Sequence, residues 1–172
     1  MYVGVPCKYI SPIQGFSAFG QVTYERGCPD IKCPNDSLIQ PAVNVAKNAD
    51  AVLLFVGINL DLEREWVDRK DLLLPGYQTQ LVNEVVEAAK GPVILVLMAA
   101  GVLDISFAKI NPKIKSILWV GYPGEQGGRA IADVVFGKYN PGNCHFFFFC
   151  FFYYVIDAFI FSNLCLLCIH LH

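Results

Sequence analysis

From Glu63 to Arg69 the chain reads Glu63-Arg64-Glu65-Trp66-Val67-Asp68-Arg69, five ionisable side chains in seven residues, and no other stretch concentrates charge in this way. Carboxyl groups donate and recover protons in acid–base catalysis when burial or a neighbouring carboxylate keeps the proton on near neutral pH. Trp66 lies beside Glu65, and a carboxyl group packed against an indole is one route to that condition. Glu63 and Glu65 are one residue apart, so extended backbone aims them the same way and a turn makes them diverge. The competing reading is a solvated loop whose Glu, Arg and Asp side chains pair with one another. Asp68 and Arg69 fit that reading as ion pairs that hold the loop, with contact to a sugar hydroxyl as the alternative.

Other constellations carry less. Asp104 reads as a loop cap before it reads as a second carboxylate. His145, His170 and His172 lie in or beside the last thirty residues, away from the charged stretch. The sequence shows no metal-ligand cluster, no phosphate-binding glycine loop and no Ser/His/Asp arrangement, so no cofactor or metal is expected. Cys165-Leu166-Leu167-Cys168 has CxxC spacing, but its leucine-rich setting offers no partner ligands.

The elements that must position the charged stretch come from apolar patterning. Residues 51–57, Ala51-Val52-Leu53-Leu54-Phe55-Val56-Gly57, form a continuous β-prone run that predicts a strand buried on both faces, with the charged stretch just beyond its end. Residues 93–98 and 116–120 predict two more such strands. Apolar positions at helical spacing predict helices after Asp36 (Leu38, Ile39, Ala42, Val45, Ala46), over residues 76–89 (Leu81, Val82, Val85, Val86) and over 130–136. Asp36 reads as the N-cap of the first of these, and Pro41 is tolerable near its first turn. Residues 13–19 suggest one helical turn and 21–25 a short strand. Strands alternating with helices through short links predict an α/β layer with a mainly parallel sheet flanked by helices. Right-handed crossovers then bring the loops starting at Ile58, Ala99 and Gly121 to one rim. That rim collects the charged stretch, Gly101 with Asp104, and Tyr122-Pro123-Gly124-Glu125.

Composition sets bounds. A length of 172 residues at 55% hydrophobic content supports one domain with a real core, and a formal charge of −2 with scattered Lys and Arg excludes a nucleic-acid surface. The average conceals a break: Lys138 is the last Lys or Arg, and residues 145–172 carry a single formal charge, Asp157. That tail opens on Phe146-Phe147-Phe148-Phe149 and is long enough to span a bilayer, so a membrane role is possible only through it. Asp157, Ser162 and Asn163 interrupt it, and no flanking basic residues set an orientation. Of seven cysteines, Cys28 and Cys33 are the disulfide candidates, closing a short loop in an oxidising compartment. The start, Met1-Tyr2-Val3-Gly4, has no basic region and no apolar core, so the chain as written reads as lacking a signal peptide, a conflict that truncation resolves.

Five segments together resemble a known family: Gly4-Val5-Pro6-Cys7-Lys8-Tyr9, the Glu63 to Arg69 stretch, Leu72-Leu73-Leu74-Pro75-Gly76, Lys90-Gly91-Pro92-Val93-Ile94-Leu95-Val96-Leu97-Met98 and Trp119-Val120-Gly121-Tyr122-Pro123-Gly124. Residues 3–142 resemble the C-terminal α/β-sandwich domain of glycoside hydrolase family 3, most closely that of plant β-D-xylosidases and α-L-arabinofuranosidases. The resemblance implies an extracellular, cell-wall hydrolase acting on xylan- or arabinan-derived oligosaccharides. It also implies a retaining mechanism, with an aspartate nucleophile on an N-terminal (β/α)8 barrel and a glutamate acid/base on the sandwich domain, their carboxyl groups roughly 5–5.5 Å apart. Glu65 matches the family glutamate three positions before the Asp-Arg pair, with Glu63 in reserve; Trp66, Asp68 and Arg69 become substrate-binding candidates.

Three departures accompany the match. The chain starts inside the sandwich domain, so the barrel nucleophile is missing and the chain is expected to be inactive alone. Ala99-Ala100-Gly101-Val102 replaces a more glycine-rich loop ending in proline. After Asn140-Pro141-Gly142 the family continues with a Gly-Lys-Leu-Pro-type segment, whereas this sequence enters the phenylalanine-rich tail, as a translated intron or frame change would produce. The organisation expected is therefore residues 1–142 as an incomplete sandwich domain and 143–172 as a hydrophobic tail outside the family. The alternatives to a glycosidase fragment are a non-catalytic carbohydrate-binding or interaction module and a tail-anchored membrane protein.

Overall fold

A computed structural model describes residues 7–140 and the backbone of residues 165–170. In chain order the elements are α1 (Pro12–Phe16), β1 (Gln21–Arg26), α2 (Ile39–Ala46), β2 (Ala51–Gly57), α3 (Gln78–Ala88), β3 (Val93–Met98), α4 (Ser106–Lys109), β4 (Ile114–Trp119), α5 (Gly127–Val135) and β5 (Cys165–His170). They form one five-stranded sheet in the order β1-β5-β2-β3-β4. β2 pairs parallel with β3, and β3 parallel with β4, while β5 runs antiparallel to both β1 and β2. The fold is the expected α/β arrangement, a parallel β2-β3-β4 layer with helices on either side.

The continuous apolar runs of β2 and β3 have a direct structural cause. Side chains alternate across a strand, so Val52, Leu54 and Val56 enter one core with Val93, Leu95 and Leu97, while Leu53, Phe55, Val96 and Met98 enter a second on the opposite face. α2 and α3 cover the first core through Ile39, Ala42, Val43, Ala46, Leu81, Val82, Val85 and Val86. The second is closed by Phe16 of α1 and by Ile131 and Ala132 of α5, with the Phe16 and Phe55 rings edge to face at 6.4 Å between centroids. Each fully buried Leu, Val or Phe contributes about 1.5–3 kcal/mol by leaving water, and β2, the most deeply buried strand, anchors whatever its C-terminal end carries. α1 and α5 touch backbone to backbone, because Gly15 lies so near Gly128 that any side chain there meets the Gly128 carbonyl.

Several boundaries differ from the sequence reading. α2 starts at Ile39 with Leu38 in the cap position and no side-chain cap. Asp36 contributes its backbone carbonyl to the Ile39 amide, and the Asn35 carboxamide binds Ser37 instead. α4 is an additional turn of helix, and β4 begins two residues earlier than the apolar run suggests. Part of the hydrophobic tail, Cys165–His170, joins the sheet as β5, while residues 141–164 and 171–172 lie outside the described residues, so the bilayer reading of the tail falls mostly on them. Among the described residues no helix is long and apolar enough to cross a membrane.

Candidate functional site

β2, β3 and β4 run parallel, so the segments following Gly57, Met98 and Trp119 emerge at one edge of the sheet. Two backbone bonds fasten that edge, from the Ile58 amide to the Met98 carbonyl at 2.8 Å and from the Val120 amide to the Leu97 carbonyl at 3.0 Å. The charged stretch leaves this edge from a turn built on Asn59, whose carbonyl accepts from the Leu62 and Glu63 amides and whose carboxamide pairs with Asp61. Arg64 donates from its guanidinium to the Leu60 carbonyl at 2.8 Å, which closes the base of the loop.

Beyond that base the chain reverses sharply. The Arg64 amide donates to the Val67 carbonyl and the Val67 amide to the Arg64 carbonyl, leaving Glu65 and Trp66 as the two corner residues. Trp66 has φ of +67°, the left-handed region that glycine enters freely and a bulky residue enters at a cost of roughly 1–2 kcal/mol. Its indole is 99% exposed. Glu65 is exposed beside it, and neither a hydrogen bond nor an ion pair engages its carboxylate among the described residues. Asp68 is exposed as well.

Glu63 faces the other way. Its carboxylate pairs with the Arg69 guanidinium through Nε, at side-chain exposures of 26% for Glu63 and 13% for Arg69. Arg69 also donates through Nη2 to the Val102 carbonyl at 2.7 Å, so it joins its own loop to the next one along the rim. A second stitch joins the same two loops, from the Asp104 amide to the Leu72 carbonyl at 2.8 Å. Gly101 leaves room for the pair, since a side chain there runs into the Glu63 carboxylate. The turn therefore resolves the two glutamates into different roles: Glu63 holds the loop, and Glu65 is presented outward.

Tyr122, from the third rim loop, completes this buried edge. Its hydroxyl is shielded from solvent and has no well-formed hydrogen bond among the described residues, as is also true of Arg69 Nη1. Burial pushes the hydroxyl above the ordinary tyrosine value; the nearby Ala100 backbone draws it back in part, the Glu63 charge raises it further and the Arg69 charge lowers it. Asp104 caps its own turn, with the Ser106 hydroxyl at 2.6 Å and the Ser106 amide at 2.9 Å on one carboxylate oxygen. Those bonds, the hydroxyl first, hold its carboxyl below the usual aspartate value. Glu125 turns away from the rim to the N-terminal segment, accepting from the Cys7 amide at 3.1 Å.

The second structural tie lies beneath the rim and is not evident from the sequence. Gln78, the first residue of α3, is fully buried; its Oε1 accepts from the Gly57 amide at 2.9 Å, and its Nε2 donates to the carbonyls of Gly57 at 2.8 Å and Ile31 at 2.7 Å. It binds the end of β2 to the loop closed by the Cys28–Cys33 disulfide, whose Cα atoms are 5.0 Å apart. Among the described residues no group of three or more His, Cys, Asp or Glu side chains is arranged to hold a metal.

Comparison with known proteins places this geometry. Residues 2–143 match the glycosyl hydrolase family 3 C-terminal domain. The chain is 59% identical over 140 residues to β-xylosidase/α-L-arabinofuranosidase 1 of Medicago sativa subsp. varia, covering 81% of this chain and 18% of that protein. It is 55% identical over 140 residues to β-D-xylosidase 3 of Arabidopsis thaliana, with the same coverage of 81% and 18%. Among solved structures it superposes on a glycoside hydrolase family 3 exo-β-xylosidase in complex with a xylobiose aziridine activity-based probe, with a TM-score of 0.75 and 34% identity over 80% of this chain and 18% of that one. The chain thus spans about a fifth of the length of the relatives it matches.

Proposed function

This chain belongs to the glycosyl hydrolase family 3 C-terminal domain family, and we propose that it supplies the acid/base half of a retaining glycosidase acting on xylo- or arabino-oligosaccharides. The observation that carries this reading is the Arg64–Val67 turn, which presents Glu65 and Trp66 outward while Arg69 keeps Glu63 engaged below. A proton donor to a glycosidic oxygen must be reachable and its proton must not be committed to a neighbour. Glu65, exposed and unengaged among the described residues, meets both conditions; Glu63, half-buried and already an acceptor for the Arg69 guanidinium, fails the second.

The nucleophilic carboxylate belongs on the (β/α)8 barrel of the complete enzyme. When that barrel covers the tip, Glu65 loses water and gains an apolar lid from Trp66, the setting in which a carboxyl group keeps its proton. It then protonates the leaving oxygen and afterwards removes a proton from the attacking water. Without the barrel, residues 1–172 form no glycosyl-enzyme intermediate and turn over no substrate. The Cys28–Cys33 disulfide supports an extracellular, cell-wall setting for the enzyme.

Residues 2–143 exchanged into the Medicago relative provide the test. Nitrophenolate leaves without being protonated and a sugar alcohol does not, so Glu65→Gln should depress hydrolysis of xylobiose far more than the first step on a dinitrophenyl xyloside. Glu63→Gln, which loosens the loop, should depress both alike. Equal losses in Glu65→Gln, or the leaving-group signature in Glu63→Gln, would refute the assignment. Turnover of nitrophenyl xyloside by the chain alone, abolished by Glu65→Gln, would refute its dependence on the barrel.

A further inference from the structure

In the sheet, β1 has β5 as its neighbour and no pairing with β2. The order β1-β5-β2 separates β1 from β2 by two strand spacings, roughly 9–10 Å, and β5 fills the gap antiparallel to both walls. All six residues of β5 are in register with Gln21–Arg26, and five of them with residues 51–55. An empty gap would expose two facing rows of backbone N–H and C=O groups, the arrangement that captures extended chain.

The occupant lies beyond the family match, which ends at residue 143. What holds it in the gap is main-chain pairing to β1 on one side and β2 on the other. Cys165-Leu166-Leu167-Cys168-Ile169-His170 contains no Asp, Glu, Lys or Arg, is free of proline and glycine, and is mostly apolar. Residues 141–164, twenty-four in number, connect it to Asn140. The entropy of closing such a connection grows only as about 1.5 RT ln n, so it restrains the strand to its own chain weakly. The backbone contacts are identical whichever copy supplies the strand.

We propose that the gap between β1 and β2 is a strand-acceptor slot that takes the Cys165–His170 strand from a second copy of this chain as well as from its own, and that reciprocal exchange closes two chains into a twofold dimer. In dilute solution the tether holds its own strand at an effective concentration in roughly the millimolar range, and the monomer dominates. Refolding from concentrated chains fills slots across copies.

Register supplies the test, because Thr23 pairs with Cys168. Facing antiparallel residues lie about 4.5–5.5 Å apart at Cα, within reach of a disulfide. In full-length chains with Cys7, Cys144, Cys150 and Cys165 changed to Ser, one set carries Thr23→Cys and Cys168→Ser, and the other retains Thr23 and Cys168. The two sets are refolded together with oxidised glutathione and mapped by mass spectrometry. The expected result is an interchain 23–168 disulfide whose yield rises with protein concentration during refolding. A control chain bearing Thr23→Cys and its own Cys168 should form the bond internally when dilute. An internal bond in the control with no interchain bond at any concentration overturns the exchange; no bond in either overturns the slot.

Discussion

Replacing Gln78 tests how the rim is held to the core. Gln78→Leu keeps the volume close and removes one acceptor and two donated bonds, leaving the Gly57 amide and the Gly57 and Ile31 carbonyls short of partners in buried surroundings. A buried amide without an acceptor costs about 1–3 kcal/mol, and each lost bond to a carbonyl about 1 kcal/mol, so the variant should lose about 3–5 kcal/mol. Domains of this kind hold about 5–15 kcal/mol in total. With a urea slope near 2 kcal/mol/M, the unfolding midpoint should fall by about 1.5–2.5 M. Amide exchange at Gly57 should quicken most. Gln78→Glu sharpens the test, because its carboxylate still accepts from the Gly57 amide but faces two carbonyl oxygens, and only its protonated form donates to one of them. Its folded-state pKa must therefore rise above the unfolded value. Stability from a raised pKa is fully present below the unfolded pKa and is lost as pH rises through the folded one, so this variant should unfold more readily at pH 7 than at pH 4. A midpoint shift under about 0.5 M for Gln78→Leu, or an unchanged pH dependence for Gln78→Glu, would refute the role of Gln78 as the tie.

Arg69→Met should cost about 2–3 kcal/mol, since it removes a charge-assisted bond to the Val102 carbonyl and leaves Glu63 without its partner; a double-mutant cycle with Glu63→Gln should return a coupling of about 1 kcal/mol. Trp66→Gly should stabilise the isolated chain by about 0.5–1 kcal/mol, the relief of left-handed strain exceeding the added freedom of the unfolded chain, as thermal denaturation will show. Ser106→Ala should let the Asp104 carboxyl titrate higher in an NMR pH series. A depressed folded pKa gives stability that is present above the unfolded value and lost as pH falls through the folded one, so this variant should also flatten the acid limb of the stability profile.

The parts of the fold legible in the sequence are those in which local pattern and tertiary placement agree. β2 and β3 announce themselves because burial on both faces demands continuous apolar runs, and α3 because one face alone is buried. The rim follows from chain direction. Gln78 was illegible because a polar residue at the start of a helix reads as exposed, and only the folded chain shows three backbone groups converging on it. The separation of Glu63 from Glu65 goes with the Arg64–Val67 reversal and the Arg69 pairing of Glu63, and the corner of that reversal holds Trp66 in a left-handed conformation that a bulky residue does not advertise. β5 was illegible because its partners lie more than a hundred residues away and its tail lacks any periodicity that would mark where a strand begins.

The turn tip also makes the chain its own reporter. Of its two tryptophans, Trp66 is 99% exposed and Trp119 58%. An indole wholly in water emits at the red end of the tryptophan range, and withdrawing it into an apolar cover moves that emission to the blue. A surface that seats itself over the turn tip covers Trp66 together with its neighbour Glu65, so its arrival would register as a change of colour before a single bond is broken.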